Sequence, residues 1–166
     1  MDIEHISVSR KQTFDSCRAK YKFQYHLKMV TEGVQHSYLT YGKIVHKVAE
    51  EFVAAQGLKK IEDVAGEVLS GKILIEGQKV SLPIDYKKKF PEHLSHIKTL
   101  TNKIGFDGKL EHPIYYDLDP PHGRRLKGFI DRLIIRGDKY FILDYKTTKK
   151  GFWRKNKNTI KKDLQL

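Results

Sequence analysis

The sequence predicts an α/β fold in which N-terminal helices and a helical insertion precede a three-stranded antiparallel meander. Three observations predict it. Apolar residues recur at helical spacing early in the chain, strand-like patterns begin at Leu110, and Gly137-Asp138 separates two such patterns as a two-residue turn would. At 166 residues and 39% hydrophobic content, the chain has room for one domain with a real core. We therefore expect a single domain over 1–166.

Two helices are predicted before residue 58, and together they form an N-terminal helical part over 1–57. The first spans about 9–27, with a buried face at helical spacing made by Phe14, Cys17, Tyr21 and Tyr25. The second spans about 40–56 and stops at Gly57. Its apolar stripe consists of Ile44, Val45, Val48, Phe52 and Val53.

The pattern changes twice after residue 57. Residues 58–108 are predicted as a helical insertion, with one helix near 61–69 and a charged one between Asp85 and Ile104 that starts or breaks near Pro91. Residues 109–148 form the predicted sheet, with strands at 110–118, 126–135 and 139–146 and a turn at 120–123. Residues 149–166 are predicted as a basic loop and the first turns of a final helix.

A hairpin brings acidic and basic side chains to one edge of the predicted sheet. If Arg136 faces Lys139 across the turn, five steps outward place Asp131 directly opposite Asp144. Like charges opposite each other in a sheet are destabilising, so such a pair is expected where a bound cation offsets the repulsion. Because strand side chains alternate, Lys146 shares a face with Asp144. The sequence thus predicts an acid, acid, lysine group suited to metal-dependent chemistry.

The charge of the chain indicates the class of its binding partner, and its cysteine content excludes some kinds of site. The formal net charge is +12, and the segment from Lys146 to the C-terminus, with Lys146 included, carries eight Lys or Arg residues against a single Asp163. This asymmetry indicates a nucleic acid as the partner rather than a membrane, because no long apolar run or strongly amphipathic basic helix accompanies the charge. A single cysteine, Cys17, excludes an internal disulfide and a multi-cysteine cluster. The first residues are acidic and polar, so we expect no signal peptide and a cytoplasmic location.

Four short motifs follow one another in order: an opening-helix pattern at 9–21, a glycine-to-histidine motif at 42–46, a glycine-to-aspartate motif at 128–131 and an aspartate-to-threonine motif at 144–147. In this order they resemble the PD-(D/E)xK nuclease superfamily and, more narrowly, its RecB-like exonuclease branch. The resemblance implies a restriction-endonuclease-like core of helix, three-stranded meander and helix. It leaves 58–108 unmatched.

The resemblance also implies an activity, that of a Mg²⁺-dependent deoxyribonuclease, most simply an exonuclease of phage or bacterial recombination and repair. Asp131 and Asp144 would hold the ion with hard oxygens, His46 would add an imidazole that also suits Mn²⁺, and the backbone carbonyl of Tyr145 would complete the set. Lys146 would orient the attacking water and offset developing charge. Glu111 resembles the upstream acid of the family.

Two departures from the family pattern stand out. Cys17 occupies the position of the first of four cysteines that hold an iron–sulfur cluster in some members, but its three partners are absent, so no cluster is expected. Gln165 matches a glutamine on the helix after the lysine strand, but the tyrosine that the family carries four residues from this glutamine is missing. The sequence therefore predicts a truncated copy with an incomplete closing helix and strand.

Contacts with DNA are expected from two basic regions. One combines aromatic and basic side chains with the glutamine of the last motif and comprises Lys149, Lys150, Trp153, Arg154, Lys155 and Gln165; the other is the first helix, with Arg10 and Lys11. DNA is thus the expected partner, and the resemblance admits a helicase or recombination protein as a second one.

Structural alternatives stand beside these assignments. The two aspartates could form an ordinary salt-bridged pair, His46 could be a satisfied core histidine, and Lys146 could be a surface lysine. At the level of function, the alternatives are a non-catalytic nucleic-acid-binding module that retains the nuclease fold and a structure- or site-specific endonuclease.

Overall fold

The fold is given by a computed structural model, which describes residues 6–29, 36–119 and 124–147. Helices precede strands along the chain. The helices are α1 (Val8–Ser16), α2 (Arg18–Tyr21), a π-helical turn (Lys22–His26), α3 (Ser37–Ala54), α4 (Ile61–Ser70), a 3₁₀ turn (Ile84–Tyr86) and α5 (Phe90–Ile104), and the strands are β1 (Lys109–Asp119), β2 (Arg124–Arg136) and β3 (Lys139–Leu143).

The hydrophobic core lies between α3, α4 and α5. The predicted stripe on the second helix is confirmed, since all five of its residues are buried on α3. On α4, residues such as Ile61 and Val68 face this stripe, and on α5 Phe90 and Ile97 close the core. Pro91 falls in the first turn of α5, where the missing amide costs no hydrogen bond. The two helices predicted in 58–108 are therefore confirmed as α4 and α5, and the structure packs both against α3.

The three strands form an antiparallel sheet in the order β1-β2-β3. The predicted hairpin register is confirmed, because Arg136 pairs with Lys139. The predicted extension of the third strand to Lys146 is wrong: β3 ends at Leu143, which pairs with Arg132. Two residues further on, the amide of Tyr145 donates to the side chain of Asp131, so the backbone no longer continues the ladder there.

The prediction of one continuous first helix with a buried face is wrong. The chain becomes extended at Cys17, which separates α1 from α2. Cys17 is exposed and Phe14 is 43% exposed. The aromatic rings pack on one another instead of on the core, since Phe14 and Tyr21 have ring centroids 5.3 Å apart and Tyr21 and Tyr25 have theirs 5.1 Å apart.

Arg132 ties the sheet to the end of α5. Its side chain is fully buried, and its guanidinium donates to the carbonyls of Gly105 at 2.5 Å and Asp107 at 2.6 and 3.0 Å. These carbonyls belong to the turn that leads from α5 into β1. The contact fixes β2 against that turn. Asp131 directly precedes Arg132 on β2, so its position is fixed as well.

The α/β fold class predicted from the sequence is confirmed as helices packed with a three-stranded antiparallel sheet. The predicted turn at 120–123 and final helix lie outside the described residues. Over the ranges that the structure describes, no helix combines the length and the apolar character needed to cross a bilayer.

Candidate metal centre

Side chains from one helix and two strands converge where the sheet faces α3. His46 lies on α3, Glu111 on β1 and Asp131 on β2. One ligand atom from each lies within 4.8 Å of those of the other two. Glu111 falls opposite Asp131, between the paired residues Leu110–Arg132 and His112–Ile130, so the antiparallel register brings the two carboxylates together. We call His46, Glu111 and Asp131 the metal triad.

Asp131 is the most heavily bonded member of the triad. Its Oδ2 lies 3.4 Å from Nδ1 of His46 and accepts the amide of Tyr145 at 2.7 Å. Burial acts to raise the pKa of this carboxyl, but the His46 ring and the Tyr145 amide outweigh burial and lower it. In return, the Asp131 carboxylate raises the pKa of His46, although burial opposes that shift.

Glu111 differs from Asp131 in both backbone and electrostatics. Its φ of 44° lies in the left-handed region, which costs a non-glycine residue about 1–2 kcal/mol. Glu111 is exposed overall, but partial withdrawal of its carboxyl from water raises the pKa of this group, and the nearby carboxylates of Asp131 and Glu50 add to the rise. A cation placed among these groups would relieve the repulsion, since it stabilises every ionised carboxylate around it.

Asp144 and Lys146 lie beside the triad, and they pair with each other. Lys146 Nζ is 2.6 Å from Asp144 Oδ1, and both side chains are about half exposed, at 45% and 49%. The charge of Lys146 nonetheless reaches the triad: it is the smallest of the influences that lower the pKa of Asp131, and it slightly offsets the rise in the pKa of His46 that the Asp131 hydrogen bond causes. The structure thus brings Glu111 to Asp131, and it leaves the Asp144 carboxylate on Lys146.

A cleft of about 490 Å³ opens beside the triad and includes His46 and Glu111 in its lining. Its walls carry lysines that the sequence analysis did not single out. Lys43 Nζ contacts Glu76 Oε2 at 2.5 Å, and Lys47 Nζ contacts Glu50 Oε2 at 3.0 Å. Helical spacing could have predicted that these residues lie near His46. Lys43 precedes His46 by three residues and Glu50 follows it by four, and residues at these spacings share one face of a helix.

The remaining predicted DNA contacts fall in two groups. Arg10 and Lys11 lie on α1, where the Arg10 guanidinium is 4.9 Å from the centre of the Tyr25 ring and Lys11 Nζ is 2.6 Å from Asp15. The others lie outside the described residues, namely Lys149, Lys150, Trp153, Arg154, Lys155 and Gln165.

Comparison with known proteins decides the family. The family model of the PD-(D/E)XK nuclease superfamily matches residues 5–166. The chain belongs to this superfamily. Searches of curated proteins and of solved structures each found no significant match. Superfamily membership makes the chain a nuclease by family.

The metal triad fits the divalent ion that nucleases of this superfamily generally use. Two carboxylate oxygens are the hard ligands that Mg²⁺ and Mn²⁺ prefer, and an imidazole is common at Mn²⁺ sites. His46 and Asp131 are both largely withdrawn from solvent, with side-chain exposures of 32% and 14%. Donors of the right kind are therefore held close together.

Proposed function

We propose that the chain is a metal-dependent deoxyribonuclease, an exonuclease of the RecB-like branch that acts in phage or bacterial DNA recombination or repair. The observation that carries the proposal is the metal triad, in which His46, Glu111 and Asp131 come from three different elements to within 4.8 Å. Two carboxylates held this close repel each other, and a cation bound between them would offset that repulsion. The four ordered sequence motifs favour the RecB-like branch.

The triad would hold the ion. When bound, the ion supplies charge neutralisation and Lewis acidity for phosphodiester hydrolysis. The chain's own part is to position it: Asp131 is fixed by the Tyr145 amide, and His46 is fixed by α3. The Tyr145 carbonyl is a proposed ligand, since a hydrogen bond to the Tyr145 backbone helps to raise the pKa of His46 and so brings that backbone next to the imidazole. For Asp144 to serve as a ligand, its carboxylate would have to exchange Lys146 for the ion.

Lys146 is the proposed partner of the reacting phosphate. Its ammonium lies within electrostatic reach of His46 and Asp131, and it contacts the Asp144 carboxylate at 2.6 Å. A lysine so placed can orient a water molecule and stabilise negative charge that develops on the phosphate oxygens. Glu111, whose pKa is raised by the partial withdrawal of its carboxyl from water, is the proposed upstream acid beside the attacking water.

The proposal is tested by incubating linear DNA with the wild-type protein in Mg²⁺, in Mn²⁺ and in a chelator. Cleavage should require the ion, and Asp131→Asn should reduce it by two orders of magnitude or more. Asp117→Asn is the matched control, because Asp117 lies on the same strand and face as Glu111 but is exposed and pairs with Arg125. Equal loss in both variants, or equal cleavage in both, contradicts the triad.

The mode of cleavage is tested by comparing linear DNA with closed circular DNA as the substrate. An exonuclease should degrade linear duplex DNA and leave closed circular DNA intact, whereas a structure- or site-specific endonuclease would open the circle. Cleavage of the circle at a rate comparable with the linear form would replace the exonuclease proposal by the endonuclease alternative.

A further inference from the structure

A row of exposed aromatic and basic side chains continues the sheet face that carries the metal triad. In the β1–β2 ladder, Phe129 lies opposite Pro113 and Lys127 lies opposite Tyr115. Alternate residues of a strand share a face, so these residues lie on the same face as Glu111 and Asp131. We call Tyr115, Lys127 and Phe129 the aromatic row.

The aromatic row is open to solvent. Tyr115 is 57% exposed and Phe129 is 56% exposed. Large rings at this exposure contribute little to the fold, and the packed core lies elsewhere, between α3, α4 and α5. Their position next to the triad therefore calls for an explanation other than packing.

Lys127 makes the row basic as well as aromatic. Its Nζ lies 5.0 Å from the centre of the Phe129 ring and 5.8 Å from that of Tyr115. Within the described part of the chain, no carboxylate lies within salt-bridge distance of Lys127. An ammonium that lies over two rings, with no acidic partner among the described residues, is available to a phosphate.

We propose that the aromatic row is a binding surface for single-stranded nucleic acid, which leads an unpaired strand towards the metal triad. The proposal rests on the proposed nuclease function, and it adds the substrate form. Exposed aromatic faces stack on unpaired bases, whereas the bases of a duplex stack on each other and present mainly phosphates. Lys127, placed between the rings, would contact the backbone of the stacked strand.

Spacing supports a continuous path. The residue pairs Glu111/Asp131, Pro113/Phe129 and Tyr115/Lys127 follow one another at two-residue steps along the strands. With a rise of about 3.3 Å per residue, Tyr115 lies roughly 13 Å from the triad along β1. That length accommodates a few extended nucleotides, so one strand could contact the aromatic row and the triad together.

The test uses a fluorescein-labelled oligothymidylate, alone or annealed to oligodeoxyadenylate, in chelator so that no cleavage occurs. Wild-type protein should bind the single strand more tightly than the duplex. Tyr115→Ala should weaken single-strand binding by roughly 5- to 100-fold, while Tyr115→Phe, which keeps the ring, should retain it. Tyr116→Ala is the matched control, since Tyr116 is the next residue of β1, is 68% exposed and faces the opposite side.

Lys127 provides a second measurement that does not depend on stacking. Lys127→Gln should reduce the slope of log affinity against log salt by about 0.7 for one lost phosphate contact on a single strand, and Lys127→Arg should restore it. Equal effects of Tyr115→Ala and Tyr116→Ala, or failure of the wild-type protein to bind the single strand, would overturn the inference.

Cleavage of the same oligonucleotide in Mg²⁺ separates this inference from the nuclease proposal. If the wild-type protein cleaves the oligonucleotide while Tyr115→Ala and Tyr116→Ala bind it equally well, only the inference about the aromatic row is overturned. Binding through Tyr115 without any cleavage in Mg²⁺ or Mn²⁺ removes only the catalytic proposal.

Discussion

The helical core and the sheet of this protein differ in how they use their apolar residues. In α3, α4 and α5 the large aliphatic side chains are buried against one another. In the sheet, large apolar side chains on both faces remain largely exposed, and they include Tyr115, Tyr116, Phe129, Tyr140 and Ile142. The helices thus contribute most of the hydrophobic stabilisation, and the sheet carries two of the three triad side chains. α3 belongs to both regions, since one side holds the core and another holds His46.

The largest expected effect distinguishes a core residue from a sheet residue of the same type. Ile44→Ala should lower the free energy of unfolding by about 2–5 kcal/mol, because Ile44 is fully buried on α3 and truncation leaves a cavity. Ile142→Ala, at a position 66% exposed on β3, should change it by less than about 0.5 kcal/mol. Urea unfolding of both variants measures the difference. Comparable losses would mean that the sheet contributes to the core as much as the helices do.

Arg132 sharpens the comparison, because it is the buried polar side chain that joins the two regions. Arg132→Met should lower stability by about 1–3 kcal/mol, since the carbonyls of Gly105 and Asp107 lose their donors. The control is Arg125→Met, at an exposed position on the same strand whose guanidinium pairs with Asp117. Thermal unfolding should separate the variants, and an Arg132→Met protein as stable as Arg125→Met would contradict the anchoring role.

Metal affinity should fall as the pH falls through the pKa of His46. The Asp131 carboxylate raises that pKa above 6.5, and an ion needs the neutral ring. In the metal-free protein, the raised pKa means that the ion pair stabilises the fold below the unfolded-state pKa and that this contribution is lost as the pH rises through the folded-state pKa. Calorimetric titration with Mn²⁺ should show affinity falling by up to about tenfold per pH unit below the His46 pKa. A flat profile would exclude His46 as a ligand.

The smallest expected effect is a gain in stability at Gly42, in the first half of α3. A Cβ added there would lie 3.7 Å from Thr147 Oγ1, which is ordinary contact, and alanine has a helix propensity about 1 kcal/mol better than glycine. Gly42→Ala should therefore raise the free energy of unfolding by up to about 1 kcal/mol and leave metal binding unchanged. Urea unfolding measures the expected gain in stability, and Mn²⁺ titration measures whether metal binding is unchanged. A destabilised variant would show that α3 and the segment after β3 approach each other more closely than this.

Sequence periodicity predicted the elements whose residues meet within one segment. The stripe on α3 and the register of the β2–β3 hairpin follow from spacing alone, because helical and strand repeats fix which side chains share a face. The break at Cys17 was not predictable in this way. Apolar spacing there continues through the break, but the rings satisfy one another and never reach the core.

The triad shows the same division between local and long-range information. His46 and Asp131 were named from motifs, and Glu111 from resemblance, but their distances depend on how α3 packs across the sheet. The register predicted Asp131 opposite Asp144, and the ladder confirms that register only as far as the pair Arg132–Leu143. Spacing could not show that the ladder would end before Asp144, nor that the Tyr145 amide would bond to the Asp131 side chain.

The left-handed backbone of Glu111 has a consequence for how this sequence can change over time. Glycine at that position would relieve the strain and favour the folded state, but it would remove a carboxylate from the triad. Random substitution filtered only for folding would therefore drift towards glycine or asparagine at position 111. A glutamate there is a residue that folding alone disfavours, so its retention in related chains would record selection for chemistry at this site, and its replacement would mark lineages in which that selection has lapsed.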